Sequence, residues 1–322
     1  MRMTRCFVAV LALIIGIASA SAQDYPAKPI RVIVPTAPGG MADILARLFA
    51  QKFGDKIRQR VVVENRTGAG GIIAADAVAK APADGYTLYL GLHATNSILP
   101  VLDPNLPYNA AKDFAPVIHI ANLPNVLVVN AKVEAKSVKE LVDLARAKPG
   151  VLSYASQGIG ASGHMAGEQF RLLTKTNIVH VPYKGAAPAV QDLRAGHVSM
   201  MFDIVPFALQ HIRDGSVRGL AVATPQRLSV LPDIPTMAEV GYPEIQGGAW
   251  FALFAPANTP RAIIDLLNKE AGDAFSLPDV RQQLEPRGVV FVLGTPEQLA
   301  SHVTADTDRW RKVIREAGIK LE

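Results

Sequence analysis

The stretch Pro35–Asp43 joins an apolar run to a helical pattern, and it constrains the fold more than any other part of the sequence. Ile30–Val34, directly before it, is typical of a short buried strand. Beyond it, apolar residues recur at helical spacing from Ile44 to Phe53, and Gly54 is a stop signal. The order strand, glycine-rich turn, helix predicts an α/β unit whose turn presents backbone N–H groups at the start of the helix.

Gly39 and Gly40 remove the side chains that would block a ligand's approach to these N–H groups. A helix N-terminus favours an anion by about 0.3–1 kcal/mol when exposed and by more when enclosed. The alternative is that the glycines only shape a tight turn and that Asp43 only faces the helix dipole or orders its own loop. This stretch alone leaves both interpretations open.

Strands and helices alternate along the rest of the chain in two successive sets. Each set repeats the order strand, polar or glycine-rich turn, helix, which predicts an α/β fold with a mostly parallel, doubly wound sheet. The predicted strands cover residues 30–34, 61–63, 86–91 and 114–120 in the first set, 125–130, 152–155, 178–183, 198–202 and 217–223 in the second, and 250–255 and 289–293 after it.

The two sets predict two similar lobes. The first lobe would consist of residues 23–124 and 248–322, and the second of residues 125–247. Ligands of open α/β sheets bind outside the carboxyl ends of the strands, so two facing lobes would form a cleft that closes on a small ligand. Polar or glycine-rich segments follow the predicted strands at 36–43, 65–71, 93–97, 156–164, 183–185 and 203.

The N-terminus has the pattern of a secretory signal peptide. Arg2 and Arg5 precede the apolar run Phe7–Ile17, and Ala20–Ala22 forms a small-residue cleavage site. The alternative, a membrane anchor, is disfavoured because a span needs about 20 apolar residues. We therefore expect residues 1–22 to be removed and the mature protein to be secreted.

The only cysteine, Cys6, lies in this segment. The mature chain would then have no disulfide, no thiol nucleophile and no cysteine-ligated metal. Loss of two arginines leaves 31 basic and 28 acidic residues, a net charge of +3 instead of +5. Without basic runs or interleaved aromatic residues, nucleic acid is not an expected partner.

Signals for enzymes are weak. Gly68–Ile73 begins like a dinucleotide fingerprint but has Ile73 at the third glycine position. Gly160–His164 lacks the last glycine of a nucleophile elbow, and Ser162 suits a helix cap or a ligand contact. His164 and Glu168 could form half a metal site, but no further ligand follows at the required spacing. We therefore predict no catalytic residue, metal or cofactor.

Taken together, the motifs resemble the Bug or TctC-like family of periplasmic solute-binding proteins of tripartite tricarboxylate transporters. The resemblance runs in order over essentially the whole mature chain. It rests on Tyr25-Pro26, Pro29-Ile30, Val34-Pro35, Pro38–Gly40 with Asp43, Glu64-Asn65 with Gly68–Gly71, Ala83–Leu88, Tyr154–Ser156 with Gly158 and Gly160, His164–Glu168, Val181–Gly185, Met201–Asp203 and Asp233–Thr236.

The resemblance implies a two-lobe Venus-flytrap receptor of the type II-like class. It would capture a small carboxylate in the periplasm and deliver it to the membrane permease subunits of a tripartite tricarboxylate transporter, as a monomer and without catalysis. A secreted two-domain α/β enzyme acting on a carboxylate is one alternative. A ligand-sensing subunit of a membrane signalling system is another.

The resemblance also implies which residues hold the ligand. Two pincer loops, Pro35–Asp43 and Ser156–His164, would hold one carboxylate end, while less uniform positions would meet the other end and set specificity. Thr36-Ala37 stands where many relatives have an aromatic residue, which predicts a smaller and more polar wall. Di- or tricarboxylates, acidic amino acids and aromatic acids all remain open. The implied ligand-binding residues are Gly39, Gly40, Met41, Ser156, Gly160 and Ser162 for the first end, Thr36, Ala37, His93, Tyr183 and Asp203 for the second, and Asp43 in the first pincer loop.

Overall fold

The computed structural model of the chain describes residues 25–320. The predicted signal peptide, residues 1–22, lies outside the described residues and stays a prediction. No helix between residues 25 and 320 combines the length and the apolar character that crossing a membrane requires.

Ten strands form one connected network of pairings among the described residues. They are β1 (Ile30–Val34), β2 (Val61–Asn65), β3 (Thr87–Leu92), β4 (Phe114–Asn130), β5 (Ser153–Ser156), β6 (Val179–Pro182), β7 (Met200–Ile204), β8 (Val217–Val222), β9 (Gly248–Pro256) and β10 (Val290–Phe291).

Helices connect and cover the strands. They are α1 (Met41–Ile57), α2 (Ile72–Ala79), α3 (Leu99–Leu102), α4 (Val138–Ala147), α5 (Ser162–Thr174), α6 (Ala186–Ala195), α7 (Val205–Arg213), α8 (Arg261–Ser276), α9 (Pro278–Leu284) and α10 (Pro296–Ala317), with 3₁₀ turns at Ala69–Gly71 and Glu285–Arg287 and a π-helical turn at Ala94–Ile98.

The strand β4 joins two lobes. Its first part, up to Pro124, pairs with β9, and its last part, from Asn125, pairs with β7 and β8. The prediction of two separate strands at 114–120 and 125–130 was wrong, because β4 continues through Pro116 and Pro124. Proline is tolerated here because the pairing shifts register after Pro116 and changes partners after Pro124.

The first lobe contains β1–β3, β9, β10 and the first part of β4. The second lobe contains β5–β8 and the last part of β4. The outer strands pair in parallel, as the strand–helix alternation predicts. All the antiparallel pairings involve β4 or β9, the two strands at which the chain crosses between the lobes. The two-lobe α/β fold class is thus confirmed.

Alternation along β1 shows that helices cover both faces of the first sheet. Val32 and Val34 pack in one apolar cluster with Phe49 of α1, whereas Ile33 packs in another with Ala75 of α2. Because successive strand residues point to opposite faces, these helices lie on opposite sides of the sheet. The first lobe is therefore doubly wound.

Strand directions determine which loops face each other. β1–β3 run in the same direction as β4, because β3 is antiparallel to β9 and β9 is antiparallel to β4. β5–β7 run opposite to β4. Since β4 passes from the first lobe into the second, the carboxyl ends of β1–β3 point toward the second lobe and those of β5–β7 toward the first. The loops after both sets of strands therefore face each other across the junction.

Candidate functional site

The loop after β1 is held by Asp43, the third residue of α1. One carboxylate oxygen accepts from the backbone N–H of Gly39 at 3.0 Å and from Arg47 Nε at 2.9 Å. The other accepts from Asn65 Nδ2 at 2.9 Å, and the same Asn65 nitrogen donates to the carbonyl of Thr36 at 2.9 Å. Asp43 therefore orders its own loop, and both of its oxygens are occupied.

Burial alone would raise the pKa of Asp43, but the hydrogen bonds from Arg47, Gly39 and Asn65 outweigh it and hold the pKa below its ordinary value. The carboxylate is charged at neutral pH. A ligand carboxylate would be repelled by this charge if it approached the Asp43 side chain, so the attraction has to come from the backbone of the loop.

Gly40 precedes α1 with φ −71° and provides no side-chain cap. The first N–H groups of α1, at Met41 and Ala42, therefore receive no acceptor from the capping residue. Most other helices among residues 25–320 also lack a side-chain cap, and Ser137 of α4 and Thr295 of α10 are the residues that provide one. The N-terminus of α1 is left able to bind an anion.

The corresponding loop of the second lobe follows β5. Ser156 Oγ lies 2.7 Å from His180 Nε2 and 3.3 Å from the N–H of Gly158. Gly160 N–H donates to His164 Nδ1 at 3.1 Å, and the rings of His164 and His180 stack at 4.2 Å. Two histidines thus order this loop. The pairing of Ser156 with His180 escapes sequence reasoning because 24 residues separate them.

Burial, reinforced by the neighbouring His180, lowers the pKa of His164 to about 4. At neutral pH the His164 ring is uncharged, and Nδ1 can act as the acceptor for Gly160. Ala161 precedes α5 and offers no side-chain cap, so the N-terminus of α5 is open like that of α1. It faces the first lobe because it follows the carboxyl end of β5.

Asp203, at the end of β7, combines deep burial with an unused oxygen. Its Oδ1 accepts from Gln157 Nε2 at 3.0 Å and from the N–H of Ile204 at 2.9 Å. Its Oδ2 and the Oε1 of Gln157 are both buried without a hydrogen-bond partner in residues 25–320. Burial raises the pKa of Asp203 to about 7, against the two hydrogen bonds that lower it.

The loops after β1 and β3 have the same property in the first lobe. Thr36 Oγ1, Ser97 Oγ and both ring nitrogens of His93 are buried, and none has a hydrogen-bond partner within the described part of the chain. Burial lowers the pKa of His93 to about 4, with Asp306 opposing and Arg309 adding to the shift. His93 is therefore neutral at neutral pH. Because Asp306 and Arg309 belong to α10, the His93 ring lies on the side of the first lobe that α10 covers.

Four buried oxygens without a hydrogen-bond partner among the described residues thus lie at or just after the ends of four strands. They are Thr36 Oγ1 after β1, Ser97 Oγ after β3, Gln157 Oε1 after β5 and Asp203 Oδ2 at the end of β7. These are the strands whose carboxyl ends face each other. A buried polar atom without a partner costs about 1–3 kcal/mol. Atoms of this kind at facing strand ends are candidates to hydrogen-bond a polar ligand. Gln157 and Ser97 were not among the predicted site residues, although both lie in predicted loop segments.

Other predicted residues have different positions. Tyr183 donates its hydroxyl to Asp192 of α6 at 2.6 Å, so the side chain holds its own lobe. Ala37 and Gly39 lie at the exposed tip of their loop. Ser162 Oγ donates to Asn125 Oδ1 at 3.3 Å. The hydroxyl of Ser162 therefore serves the lobe junction.

The two lobes touch beside this junction. A Cβ placed on Gly160 would lie 3.4 Å from Ile98 Cγ2 and 3.5 Å from Leu102 Cδ1. Met165 of the second lobe packs with Ile98 and with Trp310 of α10 in one apolar cluster. The loop after β5 therefore lies directly against the segment after β3.

A comparison of sequences gives one family. The profile of the tripartite tricarboxylate transporter family receptors, TctC, matches residues 45–319. Protein BugT of Bordetella pertussis is 41% identical over 327 residues, covering 100% of both chains. The UPF0065 protein of the tcbD–tcbE intergenic region of a Pseudomonas strain is 41% identical and covers 97% of this chain and 94% of its own.

Solved structures agree with the sequence relatives. An R. palustris protein with adipate is 37% identical, has a TM-score of 0.84, and covers 92% of this chain and 99% of its own. MatC of Rhodopseudomonas palustris with bound malate is 34% identical, has a TM-score of 0.79, and covers 90% of this chain and 100% of its own.

Proposed function

Because the chain belongs to the TctC family of tripartite tricarboxylate transporter receptors, we propose that it binds one small carboxylate between its two lobes and carries it in the periplasm. The observation that carries this proposal is the pair of uncapped helix N-termini, of α1 and α5, at facing edges of the lobes. Two such termini favour an anion at the junction.

The family's ligand-bound members support the ligand class. The relatives with adipate and with malate hold dicarboxylates. In this chain one carboxylate would accept from the backbone N–H groups at Met41 and Ala42 and from those at the start of α5. Gly40 keeps the approach to α1 free of a side chain, and Gly160 lets the loop after β5 lie against Ile98 and Leu102 of the first lobe.

The second end of the ligand would meet Thr36, Ser97, Gln157 and Asp203. Thr36 and Ser97 can donate to a carboxylate, and Asp203 can do so when protonated. When Asp203 is charged, it would favour a ligand hydroxyl or ammonium instead. The mixture suits a dicarboxylate, with or without a donor group beside its second carboxylate.

Ligand binding would also drive closure of the lobes. Each unpartnered buried atom disfavours the closed arrangement by about 1–3 kcal/mol, and a ligand that supplies the missing partners removes this penalty. Closure would thus depend on the presence of a ligand. A lobe division at residues 23–124 and 248–322 against 125–247 fits this motion, because β4 exchanges β9 for β7 and β8 after Pro124 and β9 begins opposite it at Gly248.

Delivery to the permease subunits of a tripartite tricarboxylate transporter, after removal of residues 1–22, completes the proposal, with the protein acting as a monomer. Ser156 and His180 form a nucleophile–base pair in distance alone. Because Ser156 is fully buried and also bonds the backbone of Gly158, the pair would order the loop and not perform acyl transfer.

Calorimetric titration of residues 23–322 with malate, adipate, citrate, glutamate and benzoate tests the function. In a parallel thermal-unfolding measurement, a ligand at 100 times its dissociation constant should raise the free energy of unfolding by about 2.7 kcal/mol. We expect saturable 1:1 binding of at least one dicarboxylate. A well-folded protein that binds none of the carboxylates would contradict the proposal, and consumption of the ligand would favour the enzyme alternative.

A further inference from the structure

The first lobe contains a cavity that is separate from the proposed interlobe site. Its volume is about 740 Å³, within the range of small-molecule sites. The wall is formed by the segment Pro100–Pro116, by Phe254 of β9 and by one face of α10 from Ala300 to Arg311. All of these residues belong to the first lobe, and the proposed carboxylate site does not use them.

The inner wall of this cavity is aromatic. Tyr108, Phe114 and Phe254 line it, and Phe114 meets both of the others edge to face, at 5.8 and 6.2 Å between ring centroids. Prolines, including Pro100 and Pro104, supply much of the remaining apolar surface. Aromatic faces attract organic cations more than anions.

The cavity is acidic. Asp103 and Asp113 line it, and neither forms an ion pair with any residue between 25 and 320. Each uses one oxygen to accept a backbone N–H, from Asn105 at 2.9 Å and from Asn109 at 2.6 Å. The nearby Arg311 is paired with Asp308, so its charge does not offset them.

Asn96 adds an independent sign of a ligand. It lies on the cavity wall and is only 1% exposed. Its Oδ1 accepts from Thr95 Oγ1 at 2.9 Å, whereas its Nδ2 has no acceptor among the described residues. A ligand that carries an acceptor oxygen would satisfy this donor.

We propose that this cavity, which we call the outer pocket, binds a small organic cation: an ammonium group beside Asp103 and Asp113, an apolar or aromatic body against Tyr108 and Phe254, and a carbonyl or hydroxyl oxygen near Asn96. The outer pocket differs in charge from the interlobe site, which is built for an anion. Its existence does not depend on the proposed receptor function.

Titration calorimetry with phenylalaninamide at pH 6, where its amine is protonated, tests the outer pocket. The matched probe is 3-phenylpropionamide, which keeps the ring and the amide and lacks only the amine. We expect 1:1 binding of the cation and binding of the neutral probe weaker by about tenfold or more.

The double variant Asp103→Asn/Asp113→Asn should weaken phenylalaninamide by about tenfold, because it removes both charges while an amide oxygen can still accept the turn N–H. Asp55→Asn/Glu134→Gln removes two exposed acids elsewhere and should leave the affinity unchanged. Carboxylate binding should be the same in both double variants.

Several outcomes would overturn the outer pocket. One is no binding of the cation at millimolar concentration, and another is equal binding of the neutral probe. A third is equal loss in both double variants, which would indicate a general effect of net charge. Loss of the cation in Gly40→Val with full binding in Asp103→Asn/Asp113→Asn would assign the cation to the interlobe site instead.

Discussion

Asn125 exchanges two hydrogen bonds with Ser162: its Nδ2 donates to the Ser162 carbonyl at 3.2 Å, and its Oδ1 accepts from Ser162 Oγ at 3.3 Å. Asn125 is the first residue of β4 paired with the second lobe, and Ser162 is the first residue of α5. The helix whose N-terminus faces the first lobe is thereby fixed to the strand that joins the lobes.

A double-mutant cycle on this pair tests its role. Asn125→Ala and Ser162→Ala should each destabilise the protein by about 1–2 kcal/mol, because each leaves a buried partner unsatisfied. The double variant should lose less than the sum, with a coupling of about 1 kcal/mol in urea unfolding. Strict additivity would mean that the two side chains act separately.

Gly40→Val should prevent ligand binding without unfolding the protein. A Cβ at Gly40 would lie 3.4 Å from the Ala37 carbonyl and 3.5 Å from Thr36 Oγ1, in ordinary contact, and φ is −71°. The branched side chain would cover the first N–H groups of α1. We expect a loss of carboxylate affinity of at least about tenfold by calorimetry.

The matched control is Gly272→Val in α8, where a Cβ meets only Ile118, at 3.8 Å. It should bind the carboxylate normally. If Gly40→Val retained full affinity, the N-terminus of α1 would have no part in binding.

Asp203→Asn should change how stability depends on pH. Asp203 has a pKa of about 7 in the folded protein against 3.8 as the ordinary value. The folded state therefore holds a proton that the unfolded state has lost, and the free energy of unfolding falls as pH rises from about 4 to about 7. The variant lacks this loss. Its free energy of unfolding relative to that of the parent should therefore rise between pH 5 and pH 8, by at least about 1 kcal/mol.

Urea unfolding of both proteins at the two pH values measures this difference. A constant difference across the range would mean that Asp203 does not titrate there. Asp233→Asn, at an exposed position, serves as the control for the loss of one carboxylate.

His164→Gln should reduce the sensitivity to acid. The pKa of His164 is about 4 in the folded protein and 6.5 as the ordinary value, so the unfolded state takes up a proton first as the pH falls. Stability is then fully present above pH 6.5 and decreases toward pH 4. Between pH 7 and pH 5 the variant should lose about 1–2 kcal/mol less than the parent.

Protonation would also remove Nδ1 as the acceptor for Gly160. His197→Gln, on an exposed side chain, should behave like the parent. His93 and His119, with pKa values of about 4, make both proteins lose stability in acid, so the test is the difference between them. An equal loss of stability in His164→Gln and the parent would mean that the His164 pKa is not lowered in the folded protein.

Much of the fold follows from local pattern. The apolar strands of four to six residues and the glycine-rich turns behind them indicate the parallel units around β1 and β5 directly. The continuity of β4 does not follow, because Pro124 is a strand breaker in isolation. Only its position at the change of partners, opposite Gly248, makes it tolerable.

The candidate site follows in part. The loops are predictable because strand ends and glycines mark them, but the use of each side chain depends on distant partners. Asp43 is occupied by Asn65, 22 positions away, and Ser162 by Asn125, 37 positions away. Gln157 becomes a candidate only through its hydrogen bond to Asp203, 46 positions away, because this pair has one buried oxygen on each side chain without a partner among the described residues.

The pairing of β4 with β9 also shows how the two lobes are connected along the chain. Pro124 pairs with Gly248, and the N–H of Asn125 donates to the Gly247 carbonyl at 3.0 Å, so the points where the chain leaves and re-enters the first lobe are neighbours. Residues 125–247 thus occupy the place of a turn in a hairpin between β4 and β9. A two-residue Asn-Gly turn could close that hairpin. In connectivity, residues 125–247 are thus an insertion between two neighbouring strands of the first sheet, and the pairing of β4 with β9 up to Pro124 does not depend on them.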